Sequence, residues 1–488
     1  MVVLNDCFMR KNLYSFIVLS MMLVKVGNSQ DLIFKRIFDE TLAQTSYILA
    51  SESTREAIVV DPKRDIDTYL DFAKQENLKI TKVTETHIHA DFLSGAQELA
   101  HATGAELLLS GETVKGWEYQ IKHTPLHDKD KINLGKVIIE VMHTPGHTPE
   151  SLTFLVTDAS SSLKPQKALT GDFIFVGDVG RPDLLEKVAG EEGSQDEGAK
   201  QLFASIMRFS ALPEEIEIWP GHGAGSFCGK SLSDEPQSTL KEEKKNNPAL
   251  QFPFDEKGFV NYILSDQPAP PKYFSVMKQM NRAKRSLLVE VPKIPNLKPE
   301  ELQSATSRGV RVIDTRARST ASNGFLPGSY LIQGSNSLST FLGSVADYQE
   351  QLVLIAEESE VESLTRKLMR VGLDNIYGYV STLEDYKGEL LEADQVHLAE
   401  MKDYLTREDV QVIDVRSEGE FNEGHIAGAI NIPFGELKEN LDKIDADKTV
   451  VIQCLSGARA TIGYSVLKAE GMDHVKVYVD KVQELFNK

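Results

Sequence analysis

Two short runs, 100 residues apart, constrain this chain more than anything else in it. Val312-Ile313-Asp314-Thr315-Arg316 recurs as Val412-Ile413-Asp414-Val415-Arg416. Gly324-Phe325-Leu326-Pro327-Gly328 recurs at the same offset as Gly424-His425-Ile426-Ala427-Gly428. Two matches at one offset point to a duplicated domain of about 100 residues. Each copy continues as strand, loop and helix, through LVLIAEESEVESLTRKLMRVG in the first and TVVIQCLSGARATIGYSVLKAEG in the second. That order predicts a small parallel α/β sheet in each.

The repeat leaves a long segment ahead of it. The chain has 488 residues, which suggests about three domains. EAIVVD, KITKVTETH, AELLLS, KVIIEVMH, SLTFLVTD, KALTGDFIFV and IEIWPGHG read as strands, rich in β-branched residues and bounded by Gly, Pro and Asp. DIDTYLDFAKQEN, LSGAQELAHATG and AKQLFASIMRFSAL carry apolar residues three and four apart and read as helices. The charged stretch STLKEEKKNNPALQF and the proline-rich QPAPPK mark the exit from this first domain. The expected division is 31–270 for the first domain, 290–392 for the first repeat copy and 393–488 for the second.

The chemistry concentrates at strand ends. THIHADFLSG places His87, His89 and Asp91 at alternating positions, followed by Phe92. HTPGHTPES brings His147, LTGDFIF brings Asp172 and IWPGHGAG brings His222. Each alone is weak, but together they form a metal-ligand series. Two imidazoles and a carboxylate on one face, with open positions opposite, is the usual arrangement for non-haem Fe(II) that must bind both oxygen and substrate.

The three cysteines, Cys7, Cys228 and Cys454, are far apart and form no disulfide framework. Cys454 opens CLSGAR, between the apolar strand VVI and a helix. A thiol there faces free backbone N–H groups and the positive end of the helix dipole, which favours thiolate. Small Ser456 and Gly457 let the backbone curl round the sulfur, and Arg459 adds positive charge. The same donors suit a persulfide sulfur or an attacking oxyanion. Cys228, six residues after His222, is expected near the rim of the metal pocket, as a second sulfur acceptor or as a loop residue without chemistry. Arg181 and Asp183 in VGDVGRPDLL are a candidate ion pair at the pocket mouth, Arg181 being a candidate substrate contact.

The net charge of -20 argues against nucleic acid or an anionic membrane surface as main partner. Arg10 and Lys11 precede the apolar run Leu13 to Val24, and Gly27-Asn28-Ser29 follows. Residues 1–29 are a candidate signal peptide. The expectation is an exported or periplasmic protein if they act as one and a cytoplasmic one otherwise. No other long apolar run suggests a membrane domain.

The metal series resembles the metallo-β-lactamase fold, an αββα sandwich, over about 230 residues. VIDVRSEGEFNEGHIAGAINIP with CLSGAR resembles the rhodanese sulfurtransferases. Asp414, Arg416, Glu420, Gly424, His425, Ile426 and Gly428 fall in that family's strand and loop signature, with structural roles. The whole resembles persulfide dioxygenase–rhodanese fusions: one sandwich followed by two rhodanese-like α/β domains. The first copy has no cysteine near Ala356 or Glu357, so it reads as a degenerate copy with a scaffolding or docking role.

The resemblance implies one Fe(II) per chain, on His87, His147 and Asp172. His89, Asp91 and His222 would stand behind those ligands or hold a second metal. Phe92 occupies the place where a second-metal histidine would stand, and phenylalanine cannot ligate. The implied activity oxidises the sulfane sulfur of a small thiol persulfide with oxygen to sulfite. A persulfide on Cys454 would pass sulfur to sulfite, forming thiosulfate. A homo-oligomer is expected. Two rivals stand: a dinuclear zinc hydrolase of the glyoxalase II type with an attached sulfurtransferase, and a non-enzymatic sulfur carrier.

Overall fold

The computed structural model describes residues 30–114, 116–190 and 193–486. The candidate signal peptide and Cys7 lie outside them.

The first unit is two six-stranded sheets face to face. One takes its strands in chain order, from Leu32–Asp39 to Thr124–Leu126; the other runs from Ser238–Thr239 through Glu217–Pro220, Lys167–Gly171, Leu152–Asp158 and Val137–His143 to Lys131–Leu134. Strand periodicity sorts the core into layers. Along Gln44–Ser51, Tyr47 and Leu49 point between the sheets, toward Phe154 and Leu169. Ile48 and Ala50 point outward, beneath the helices Asp67–Gln75 and Ala96–Thr103. Helices Ser194–Phe209 and Glu256–Leu264 cover the far face of the second sheet, through Leu202, Ile206 and Phe259. This is the αββα sandwich.

The sequence reading missed the opening hairpin, Leu32–Asp39 paired with Gln44–Ser51. Gln44–Ser51 is buried throughout, so it shows no alternation to read. It also ran the strand at 167 on to residue 176. The strand stops at Gly171, whose φ is +51°. The chain then turns back, with Phe173 N–H donating to Thr170 O and Phe175 N–H to Asp178 O.

The repeat is visible as one topology used twice. The first copy has four parallel strands, in the order Tyr330–Leu331, Arg311–Asp314, Leu352–Ile355, Ile376–Val380. The second repeats the order with Ile430–Asn431, Val410–Asp414, Thr449–Gln453, Val475–Tyr478 and adds the edge strand Gln395–Val396. Asp314 grips Arg316 through Nε at 2.9 Å and Nη2 at 2.6 Å. Asp414 grips Arg416 the same way, at 3.0 and 2.6 Å. Each arginine then caps the glycine eight residues on, Gly324 O at 2.6 Å and Gly424 O at 2.7 Å.

Strand register settles where the cysteine is missing. Asp414 pairs with Gln453, just before Cys454; Asp314 pairs with Ile355, just before Ala356. The loop is shorter too. In the first copy a helix starts at Glu358, directly after Ala356 and Glu357; in the second it starts at Ala458, after residues 454–457.

The first copy is fastened to both neighbours. Arg370 hydrogen-bonds Asp65 through Nε at 2.8 Å and forms an ion pair with Asp39, Nη1 lying 2.8 Å from Oδ2. Arg366 reaches Asp67, and Arg64 of the sandwich reaches Asp374 at 2.7 Å. Toward the second copy, Leu331 N–H donates to Ser465 Oγ at 3.0 Å. One continuous apolar core runs from Phe92 and Leu93 of the sandwich, through Leu368 and Val371, to Cys454 and Val477.

Candidate functional site

Strand Lys79–Thr84 ends just before the His-x-His-x-Asp run and delivers it, buried, between the sheet ends. Asp61 anchors the turn. Its carboxylate accepts from Thr86 N at 2.7 Å, Thr86 Oγ1 at 2.9 Å and His89 Nε2 at 3.0 Å. Glu150 accepts from Ile88 N–H at 2.8 Å.

His87, His147 and Asp172 converge, with donor atoms all within 4.8 Å of one another. His147 Nδ1–H donates to Arg181 O at 2.9 Å, which turns Nε2 inward. Nε2 lies 3.5 Å from Asp172 Oδ2, and His87 Nε2 lies 3.7 Å from the same oxygen. His87 Nε2 and Asp172 Oδ2 are buried with no hydrogen-bond partner among the described residues. Burial pushes the His147 imidazole down to about 4 and His87 well below its ordinary value. Both rings are therefore neutral near pH 7 and offer lone pairs. Burial opposes ionisation of Asp172, but the charge and hydrogen bond of His222 hold its carboxyl well below the usual range. Two neutral imidazoles and a carboxylate aimed at one point, with protons directed elsewhere, fit a divalent metal.

Asp91, His222 and Cys228 form a second convergent set, also within 4.8 Å. His222 spans two carboxylates, Asp172 Oδ1 and Asp91 Oδ2, each at 2.7 Å. Burial alone would lower its pKa; Asp172 and Asp91 together raise it well above the ordinary value. His89 joins neither set. Its Nε2 is held by Asp61 and its ring lies 4.4 Å from that of Phe92.

Two placements differ from the sequence reading. Cys228 is 1% exposed and sits among the ligand residues, not at the rim. Burial, then Asp172 and Asp91, push its thiol up. Arg181 is fully buried, away from any pocket mouth. It grips Asp183 with Nε and Nη2, both at 2.7 Å, and gives Nη1 to Phe227 O at 3.3 Å. Its backbone N–H donates to Cys228 O at 3.1 Å. Arg181 braces the Cys228 loop and the ring of His147, and its guanidinium is buried on Asp183 and Phe227 O.

A helix beyond residue 270, Phe274–Arg282, supplies residues the sequence reading missed. Tyr273 OH donates to Asp91 O at 3.0 Å. Asn281 Nδ2 donates to His89 O and Phe92 O, both at 2.8 Å. Lys278 is 2% exposed, with Nζ 5.5 Å above the Trp117 ring. It lies in the field of Glu150, Cys228, Asp172 and Asp91, and burial lowers its pKa. A buried lysine is rare; in sequence, nothing marks Lys278, the one lysine of helix Phe274–Arg282, as buried.

The second centre is the Cys454 loop. Cys454 is 1% exposed, at the end of strand Thr449–Gln453. Gly457 has φ +86°, and a Cβ there would lie 2.6 Å from Arg318 Nη1. Arg318, from the first copy, donates to Ser456 O at 2.6 Å. Arg459 is forked onto Glu420 at 2.6 and 2.7 Å, so its charge is shared. Burial opposes ionisation of Glu420, yet Arg459 and Ser417 draw its carboxyl down to about 2.

Residues 40–222 match the metallo-beta-lactamase superfamily and residues 397–484 the rhodanese-like domain. A crystal structure of a metallo-beta-lactamase from Staphylococcus aureus subsp. aureus COL is 39% identical, with a TM-score of 0.66 over 72% of this chain and 99% of that one. The human mitochondrial persulfide dioxygenase ETHE1 is 27% identical over 47% of this chain and 80% of its own length. A probable polyketide biosynthesis zinc-dependent hydrolase, BaeB of Bacillus velezensis, is 27% identical over 44% and 85%.

Proposed function

Since the chain belongs to the metallo-beta-lactamase superfamily and carries a rhodanese-like domain behind that fold, we propose that it is an iron-dependent persulfide dioxygenase coupled to a sulfurtransferase. The observation that carries this reading is the compact His87, His147, Asp172 set. It would offer a metal three protein donors, the set suited to iron that takes oxygen and a sulfur ligand. Likeness to the persulfide dioxygenase ETHE1 supports the same activity.

A resident Fe(II) would supply the redox chemistry that ground-state oxygen needs and zinc lacks. The reaction converts one persulfide, one oxygen molecule and one water into the thiol, sulfite and two protons. The protein's own groups bind and orient. Arg181 O and Thr86 Oγ1 hold the outer nitrogens of His147 and His87. Lys278, buried near Asp172 and Asp91, would offer a positive charge to an anionic sulfur group. At the second centre Cys454 carries a sulfane sulfur, and sulfite attacks it. The new sulfur–sulfur bond makes thiosulfate, and the Cys454 thiolate leaves.

One observation favours a second reading. Asp91, His222 and Cys228 could hold a second cation, and BaeB is named a zinc-dependent hydrolase. That arrangement would need His222 to leave Asp91, and Asn281 and Tyr273 pin the loop that carries Asp91. Elemental analysis of anaerobically purified protein, with oxygen uptake followed on adding glutathione persulfide, separates the two. About one iron per chain with persulfide-dependent uptake is expected. Two zincs per chain and no uptake would replace the dioxygenase by a hydrolase.

A further inference from the structure

Helix Phe274–Arg282 carries two cations one turn apart, Lys278 and Arg282. At that spacing side chains are neighbours, with Cβ atoms roughly 6 Å apart. Both meet the same ring: Lys278 Nζ lies 5.5 Å and Arg282 Cζ 4.9 Å from the centroid of Trp117. Neither side chain makes an ion pair or a hydrogen bond with a described residue, and Arg282 Nε is buried without a partner among them. In a chain with 73 Asp and Glu against 53 Lys and Arg, two adjacent cations without a carboxylate are out of pattern. An ammonium brings three donors and a guanidinium five, and donors kept from water need acceptors. An indole face attracts the charge but satisfies few of those donors.

The pair runs outward from the metal-ligand set. Lys278 is 2% exposed, its charge acts on His87 and His147, and Asp172 and Asp91 act back on it. Arg282 is half-buried, nearer the surface. Trp117 meets both from the loop between strands Glu106–Ser110 and Thr124–Leu126. Its N–H donates to Val114 O at 2.9 Å, and Gln120 N–H donates to Arg282 O at 2.7 Å. Val114 in turn walls a cavity of about 140 Å³ that reaches His147, together with Pro149, Pro182 and Leu185. This loop therefore joins a cavity at one of the candidate metal ligands to the helix that carries the cations.

We propose that Lys278 and Arg282 form an anion seat for the body of the substrate, in which Arg282 takes a carboxylate carried by the thiol. The proposal rests on the persulfide reading above and narrows its substrate to thiols that bear a carboxylate. With the sulfur end near Lys278, the carboxylate falls one helical turn outward, at a guanidinium whose planar fork matches it. The Trp117 ring holds the two cations side by side. A thiol without a carboxylate would fill the same space and leave the Arg282 donors unmatched, which is how a polar site discriminates.

Arg282→Met in the full, metal-loaded chain tests this, with Arg282→Lys beside it to return the charge. Oxygen uptake is followed with glutathione persulfide and with 2-mercaptoethanol persulfide, which has no carboxylate. The wild-type preference for glutathione persulfide, as a ratio of kcat/KM values, should fall about tenfold in Arg282→Met and largely return in Arg282→Lys, the worth of one hydrogen bond to a charged group. Calorimetric titration with S-methylglutathione, which has no sulfur to give, should show the same loss in affinity. An unmoved preference and affinity would overturn the seat. So would a change confined to inhibition by sulfite, which would assign the two cations to the inorganic product. Wild-type protein that takes up no oxygen with either persulfide, yet binds S-methylglutathione through Arg282, would overturn the persulfide reading and leave the seat standing.

Discussion

Replacing Arg370 by methionine removes one guanidinium from between two buried carboxylates. Asp65 and Asp39 have side chains 1% and 2% exposed. Asp65 loses both arms of a fork but keeps Arg366 at 3.3 Å and Lys63 at 3.8 Å. Asp39 keeps Thr41, through N–H at 2.8 Å and Oγ1 at 2.6 Å. Breaking a buried ion pair from one side costs about 3–5 kcal/mol. The surviving partners place the expected loss near the lower end, about 3 kcal/mol, still a large share of an ordinary domain's 5–15 kcal/mol. The pH dependence carries a sign. Burial opposes ionisation of Asp65, but the Arg370 fork and charge hold its pKa below the usual value. Its contribution is therefore complete above the unfolded carboxyl value near 4 and lost as pH falls through the lower folded value. Arg370→Met should show its full deficit at neutral pH and a shrinking one below about pH 4. Urea midpoints across that range, with wild type alongside, make the measurement. A loss under about 1 kcal/mol at neutral pH, as for a surface pair, would refute the clamp argument. So would a deficit that does not change with acid.

Three other outcomes follow from the site. His147→Ala should leave the protein with almost no bound metal by elemental analysis, while Cys454 still transfers sulfur from thiosulfate to cyanide; Cys454→Ser should do the reverse and keep persulfide-dependent oxygen uptake. Lys278→Met should retain metal yet raise the KM for glutathione persulfide about tenfold to a hundredfold, the worth of one hydrogen bond to a charged group. Arg318→Ala should slow sulfur transfer by Cys454 roughly fivefold to tenfold without changing oxygen uptake, because it frees the Ser456 carbonyl that Arg318 holds.

What could be read from the sequence was whatever the chain writes locally. The candidate ligand residues announce themselves through unusual side chains at strand ends, and the structure gathers His87, His147 and Asp172 at one point. The duplicated Asp-x-Arg motifs were legible because each spans only three residues, and the structure shows each as a fork. Arg181 was noticed but misplaced, since its pairing with Asp183 is local and its burial is not. Cys228 was set too far out for the same reason: distance along the chain from His222 says little about depth. Tyr273, Lys278 and Asn281 were not legible at all. They reach the site from a helix that follows the proline-rich stretch, and only tertiary packing gives that helix a partner.

Phe92 has a consequence for the history such a chain can have. Its ring packs at a tilt against His89, and the same ring belongs to the apolar seam running into the first copy. A histidine there, as a second metal would want, would put a polar ring into that seam and weaken the attachment behind it. One side chain thus serves the His89 loop and the seam between units together. A sandwich joined to its neighbours through Phe92 cannot change that residue without loosening the join.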